Sequence, residues 1–241
     1  MNVHPHAWLH PADLDHLVSS SDAAALTDGD GVALAWKGEA PDTSGALAAT
    51  LSFIIRYPWD LIRASESYFS DFHGDNIRGE VHPSAVVEGS LHLGHGSRIL
   101  PGVYIEGNVV IGENCKIGPN CYIRGNTSIG DKCHIGQSVE IKNCIILSNT
   151  NVGHLSYIGD SVLGEKVNLG AGTTTSNLRH DGKNHRSTVG NELVDTGRRK
   201  FGTIIGDHVH TGINTSIYPG RKLWPNTTTR PGDIVQKDIL S

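Results

Sequence analysis

The sequence predicts a mainly β chain, a solenoid of short parallel strands behind a small N-terminal α/β segment. Three observations carry that expectation. Every sixth residue from Val81 is aliphatic: Val81, Val87, Leu93, Ile99, Ile105, Ile111, Ile117, Ile123, Ile129, Ile135 and Ile141. Glycine supplies 29 of 241 residues while charged residues fall to 19%, against ~7% and ~25% in ordinary globular chains. The composition also changes near residue 75, with eight of the fourteen aromatic residues before that point and the regular period after it. The expected division is a cap region at 1–75 and a repeat domain at 76–241.

A period of six suits neither a helix of 3.6 residues per turn nor a simple alternating strand. It fits short strands joined by tight turns, with glycine in the turns and one aliphatic per side stacked along a core. Four residues after each aliphatic come small or medium side chains such as Ala85, Ser97, Val103, Cys115, Cys121, Thr127, Cys133 and Val139. Cys115, Cys121 and Cys133 share this inward phase and read as buried small hydrophobes. Cys144 falls off it and has no evident partner. After five-residue steps the phase resumes at Val152, Ile158, Leu163 and Leu169, and again at Ile205, Thr211, Ile217, Leu223, Thr229 and Val235.

Between the two stretches, residues 175–202 interrupt the period. This insertion carries Arg179, Lys183, Arg186, Arg198, Arg199 and Lys200 against Asp181, Glu192 and Asp195, a basic excess in a chain of net charge −5. A long insertion without repeats is usually functional or disordered. It reads here as a phosphate-facing arm, with a solvated loop as the plainer alternative. Before residue 75, Gly31–Trp36 predicts a short strand, and Asp42-Thr43-Ser44 predicts the cap of a helix reaching about Ile55. Pro58 opens a second helix with Leu61, Ile62, Tyr68, Phe69 and Phe72 at helical spacing. His4, His6, His10 and His16 are assigned to a ragged N-terminus rather than to a metal site. The mild acidity and the absence of a long apolar run argue against nucleic acid and membrane as partners.

The hexapeptide pattern resembles the left-handed parallel β-helix acyltransferases, in which three hexads make one triangular coil. That implies about five coils from 81–174 and two from 205–240. The segment Gly153-His154-Leu155-Ser156-Tyr157-Ile158-Gly159-Asp160, then Val167-Asn168-Leu169-Gly170-Ala171-Gly172-Thr173 and Asn177, resembles the acetyltransferase domain of the bifunctional enzyme that makes UDP-N-acetylglucosamine. Gly197-Arg198-Arg199-Lys200-Phe201-Gly202 and Thr211-Gly212-Ile213-Asn214 are similar to archaeal sugar-1-phosphate nucleotidylyltransferase/acetyltransferases. About 57–240 is covered.

The resemblance implies His154 as general base, Glu140 as an acid near it and Asn177 near the reacting acetyl group. It also implies Arg124, Lys142 and Tyr157 as holders of a sugar phosphate, Asn168 as a sugar ligand and Lys200 as a loop lysine, with Lys183 its rival. Ala171, Ile213 and Pro231 match positions close to acetyl-CoA, the implied co-substrate. The chemistry agrees: thioester aminolysis needs a proton acceptor near neutral pH, which imidazole supplies. An oxyanion calls for amide donors, and a phosphate suits Arg124 and Lys142. A cytoplasmic homotrimer with sites between subunits is the implied assembly.

Three departures stand out. No glycine-rich nucleotidyltransferase loop precedes the repeat, so uridylyl transfer is not expected. Ile213 and Pro231 replace small residues, which leaves the acyl chain open, and Gly125 replaces a proline. Three further readings remain at this point. One keeps acyl transfer but takes another amino sugar or sugar nucleotide as acceptor. Another is a non-catalytic β-helix partner of a separate nucleotidyltransferase. The last is a metal-dependent hydratase of the carbonic anhydrase kind, for which the His92/His95 and His208/His210 pairs lack the wider three-histidine spacing. No metal site is expected.

Overall fold

The computed structural model describes all 241 residues, which divide into two compact units, Met1–Ser70 and Asp71–Ser241. The second unit is a parallel β-helix. Three sheets run along it, of eight, six and eight strands, and successive strands of the chain step from sheet to sheet. The coils cover 76–88, 91–106, 109–124, 127–142, 145–159, 162–175, 203–217 and 221–235. Eight coils thus replace the seven expected, because Asn76–Ile77 and Glu80–Val81 pair with the next coil before the period becomes visible at Val81.

Coil length follows the hexads. Leu91 lies opposite Val109 and Val109 opposite Thr127, three hexads apart. Ser128 pairs with Ile145 and Ile145 with Val162, one residue shorter where five-residue steps occur. The every-sixth aliphatics point inward, with Ile105, Ile117, Ile123, Ile135, Ile141, Val152 and Ile158 all fully buried in one continuous core. The shorter step also returns Cys144 to the interior, where it is 1% exposed. Its Sγ donates to Lys142 O and Ile158 O, so it belongs to the core and not off the column as its spacing suggested. Burial pushes the Cys121 and Cys144 thiols up to about 12, the behaviour of inert structural cysteines.

The turns need a left-handed residue at each corner. Glycine supplies many, but Asn114, Asn120, Asn143, Asn149, Asn214 and Asn226 also stand at φ between 51° and 63°; asparagine tolerates that region through its short polar side chain.

The insertion is folded. Arg186–Val189 and Glu192–Asp195 form an antiparallel hairpin, closed at its base by a bridge between Leu178 and Lys200. It is held to the last coils by Lys222 Nζ, which donates to Ser187 Oγ (2.9 Å) and Thr188 O (2.5 Å). The parallel sheets resume beyond it, Val162 pairing with Ile204.

The first unit has a four-stranded sheet in the order Asn2–Val3, Ala33–Trp36, Ala25–Thr27, Leu47–Ala48, a two-stranded ribbon and two helices. The strand expected at 31–36 and the helix after Pro58, observed at Asp60–Ser70, are present. No helix follows Asp42. Asp42 Oδ1 accepts from Ser44 N and Gly45 turns left-handed at φ 69°, so the chain leaves as strands at Leu47–Ala48 and Phe53–Ile54. The N-terminus is ordered, not ragged: Pro11–Ser19 is a helix whose cap is His10, accepting from Ala12 N. Asp13 at its start accepts from Thr50 N and Oγ1, Leu51 N and Ser52 N, which ties that helix to the chain 37–39 residues on. No helix is long and apolar enough to cross a membrane.

Candidate active site

The third sheet builds a polar patch because its strands alternate. Ile123, Ile141 and Ile158 face the core, so their neighbours face outward in two columns. One column runs Tyr122, Glu140, Tyr157 and the other Arg124, Lys142, Gly159. Stacking two cations in adjacent coils requires neutralisation, and each has a carboxylate. Arg124 donates from Nε and Nη2 to Glu140 Oε1 at 2.9 and 2.7 Å. Lys142 Nζ donates to both oxygens of Asp160 at 2.9 and 2.8 Å.

The third member of the cation column is glycine for a steric reason. A Cβ on Gly159 would meet the Tyr157 hydroxyl and Asn177 Nδ2, which fill that space. Asn177 Nδ2 donates to Tyr157 Oη at 3.0 Å and to Asp160 Oδ2 at 2.5 Å. The Asn177 main chain is fixed as well, since its carbonyl accepts from Phe201 N and faces His185 Nε2 at 3.1 Å. Burial and the neighbouring Asp160 and Glu140 carboxylates push the Tyr157 phenol above its ordinary range, so it remains a proton donor.

His154 ends the strand Asn151–His154 at the corner between the second and third sheets. It lies opposite Gln137 and is exposed. Leu155 follows at φ 50° and is 67% exposed. Turn hydrogen bonds trace that corner upward: Gly172 N donates to His154 O, Asn214 N to Ala171 O and Gly232 N to Ile213 O. His154, Ala171, Ile213 and the residue before Gly232, Pro231, therefore take equivalent positions in successive coils and form one edge of the prism. His134, one coil below, is half-buried; burial, then Lys116 and His154, holds its imidazole below the usual range.

The expected residues thus fall into two groups within one chain. Arg124, Glu140, Lys142, Tyr157 and Asn177 share a hydrogen-bonded patch, whereas His154, Ala171, Ile213 and Pro231 line the adjoining edge. Glu140 is engaged with Arg124 rather than with His154. Asn168 faces outward on the second sheet, opposite Asn151 and His210. Lys200 is exposed at the hairpin base beside Phe201, whose N holds Asn177. Lys183 sits in a turn where its N donates to Asp181 Oδ1. Beside Asn177 opens a cleft of about 540 Å³, lined among others by Ser176, Leu178, Arg179, His180, Tyr218 and Pro219. No three His, Cys, Asp or Glu side chains converge in a metal-holding group.

Sequence reasoning did not single out Asp160 or Asn143, whose Nδ2 donates to Asp160 Oδ1. The available signal was position: Asp160 is the corner residue after Gly159, which stacks on Lys142 one coil below.

A family model described as the GMPPB C-terminal domain matches residues 105–229. Among relatives, the bifunctional sugar-1-phosphate nucleotidylyltransferase/acetyltransferase of Sulfurisphaera tokodaii is 40% identical over 102 residues, 42% of this chain and 25% of that protein. The bifunctional protein GlmU of Methanococcus aeolicus is 40% identical over 182 residues, 76% of this chain and 44% of the relative. GlmU of Methanocaldococcus jannaschii is 36% identical over 184 residues, covering 76% and 45%. The chain spans less than half the length of these relatives.

Proposed function

The chain belongs to the family of the GMPPB C-terminal domain, and from that premise we propose that it is an acetyl-CoA-dependent N-acetyltransferase acting on an amino-sugar phosphate, best matched by glucosamine 1-phosphate. One observation carries the reading: two cations, Arg124 and Lys142, stand in one outward column beside Tyr157 and Asn177, around a corner from an exposed imidazole. An amine acceptor that also bears a phosphate needs both features. Similarity to the Sulfurisphaera tokodaii relative, whose name includes acetyltransferase, supports the reaction class.

In the proposed reaction the amine nitrogen of the sugar attacks the thioester carbonyl carbon. His154 removes an amine proton as the C–N bond forms. The tetrahedral oxyanion is met by N–H donors of the glycine-rich turn at 170–172. Its collapse breaks the C–S bond, and the coenzyme thiolate takes the proton back from His154. Ala171, Ile213 and Pro231 border the coenzyme along the His154 edge, where the bulk of Ile213, 53% exposed, bears on acyl-chain length. Arg124 and Lys142 hold the phosphate, Asn168 and Lys200 contact the sugar phosphate from neighbouring surfaces, and Glu140 orients Arg124.

The two groups lie on either side of a corner, and Leu155 and Ile213 expose apolar surface there. We therefore place the complete site between copies of a homotrimer in the cytoplasm, one copy's His154 edge facing another's phosphate patch.

The test is thiol release from acetyl-CoA with glucosamine 1-phosphate, beside free glucosamine and His154→Ala. Release that requires the phosphate and falls ~10²–10⁴-fold in the variant is the expected result. A folded protein silent with every amino sugar would reject acyl transfer and favour a non-catalytic partner of a nucleotidyltransferase.

A further inference from the structure

Asp160 follows the strand Tyr157–Gly159 and adopts a left-handed conformation, φ 49°. Of the twelve non-glycine residues at positive φ, six are asparagine and Asp160 alone is acidic. Asparagine suits that backbone as well as aspartate, so the turn does not account for the charge. Nor is the charge a surface feature: Asp160 is 2% exposed, and a carboxylate is unfavourable away from water unless its oxygens are satisfied.

They are satisfied entirely by groups of the phosphate patch and its neighbours. Oδ1 accepts from Lys142 Nζ (2.9 Å) and Asn143 Nδ2 (3.0 Å). Oδ2 accepts from Lys142 Nζ (2.8 Å) and Asn177 Nδ2 (2.5 Å). An ionised carboxylate only accepts hydrogen bonds, which settles the orientation of everything around it. Asn177 must turn its NH₂ group to Asp160, and the same nitrogen donates to Tyr157 Oη. Its carbonyl Oδ1 is left on the other side of the amide as an acceptor. Tyr157, having accepted, keeps its own proton to donate. Lys142 has two of its three N–H groups on Asp160 and one left.

We propose that Asp160 is a positioning residue that sets the donor–acceptor polarity of the acceptor-sugar site. It holds the Asn177 carbonyl oxygen toward the substrate amine, and it leaves Lys142 and Tyr157 one proton each for the sugar phosphate. The inference rests on the sugar-phosphate reading of the patch. An amine N–H donated to Asn177 Oδ1 fixes the rotation of the nitrogen and directs its lone pair at the thioester. The asparagine placed near the reacting acetyl group thereby becomes the acceptor that orients the nucleophile.

Asp160→Asn tests this with little steric change. The new amide keeps its oxygen on Lys142 and Asn143 and points NH₂ at residue 177, so Asn177 flips and presents NH₂ to the amine. Turnover with glucosamine 1-phosphate falls about a hundredfold, the scale of a misdirected reactant, with the loss mainly in kcat and a melting temperature that confirms folding. In Asp160→Asn/Asn177→Asp, the carboxylate at 177 accepts from the amide introduced at position 160 and again offers an acceptor outward, so at least ~10-fold of the loss returns. A double variant that is folded and no better than the single one overturns the proposal, as does wild-type turnover in Asp160→Asn. If the single variant does not fold, the double variant decides: turnover within ~10-fold of wild type supports the proposal, and a folded inactive protein overturns it.

A readout independent of turnover separates this inference from the reaction assignment. With ¹⁵N-asparagine labelling, the Asn177 side-chain amide signal, identified by its loss in Asn177→Asp, exchanges slowly in the wild type and fast in Asp160→Asn. Slow exchange in a protein inactive on all amino sugars supports the positioning and rejects acyl transfer. Equal exchange in both proteins overturns the positioning whatever the activity.

Discussion

Arg124→Met tests the proposed phosphate recognition at small structural cost. The Arg124–Glu140 pair is 36% and 33% exposed, so solvent screening limits its worth to ~0–1 kcal/mol. The guanidinium also lies 5.4 Å from the Tyr122 ring centroid, an exposed contact worth ~0.5–1 kcal/mol, of which methionine keeps the apolar part. Stability therefore falls by about 1 kcal/mol, or ~2–4 °C for a chain of this size. Binding is affected more. A hydrogen bond to a charged group contributes ~1.5–3 kcal/mol, which is roughly a 10- to 150-fold loss in affinity. Freed Glu140 adds repulsion toward a phosphate, so the upper half of that range is expected. The assay compares kcat/KM for glucosamine 1-phosphate and glucosamine in wild type and variant. The phosphorylated substrate should lose the full factor while glucosamine is unchanged. An equal loss with both substrates would mean that Arg124 acts through the fold, and no loss with either would remove it from the phosphate site.

Two further perturbations test the fold of each unit. Burial raises the Asp13 carboxyl, but hydrogen bonds from Ser52, Leu51 and Thr50 outweigh it and hold the group well below the usual carboxylate range. Asp13→Asn turns an NH₂ toward the Leu51 and Ser52 N–H donors; two unsatisfied donors at ~1–3 kcal/mol each give about 3 kcal/mol. Because Trp8, Trp36 and Trp59 lie in the first unit and only Trp224 in the second, tryptophan fluorescence in urea should shift while the far-ultraviolet signal of the β-helix does not, and a joint shift would contradict separate cores. His185 is 2% exposed. Burial and Arg179 lower its imidazole from the ordinary 6.5, against the opposing pull of the Asn177 and Arg199 carbonyls and Asp181. The unfolded chain then takes up a proton near pH 6.5 that the folded one does not, so this contribution is present above that pH and declines below it. Protection of the amides across 186–195, the exchange rate relative to the intrinsic rate at each pH, should fall from pH 7.5 to 5.5, and the same fall in His185→Gln would acquit the imidazole.

The β-helix was legible because an inward hexad position admits little but an aliphatic side chain, and a phase that survives Val81 to Ile141 leaves one architecture. The places where reading failed have two causes. The fate of 42–55 depends on Gly45 and on Asp13, whose carboxylate takes the N–H groups of Thr50, Leu51 and Ser52 from far away in sequence, and no period announces such a contact. Cys144 escapes the pattern because a five-residue step shifts the phase without changing the residue type.

Within the solenoid, sequence distance converts directly into spatial distance, so candidate residues named by resemblance can be placed in columns from their spacing. Arg124 and Lys142 are 18 residues apart and stack; Glu140 and Tyr157 are 17 apart and stack. The same rule puts Gly159 over Lys142 and so Asp160 beside it, but a motif reading passes over Asp160 because the residue stands in a turn, where an acid looks like ordinary corner chemistry. Asn177 lies just beyond the last regular strand before the chain leaves the prism for the hairpin. The repeat dictates every outward neighbour by its register, so a side chain from outside the columns can join them only where the repeat is interrupted. The insertion after coil 162–175 provides that interruption, and the hydrogen bonds of Asn177 to Tyr157 and Asp160 are its consequence. Replacing 176–202 with a two-residue corner, as Gly159-Asp160 forms between Ile158 and Ser161, would preserve the parallel register and remove the group that closes the polar patch, which ties the proposed chemistry to the departure from the repeat.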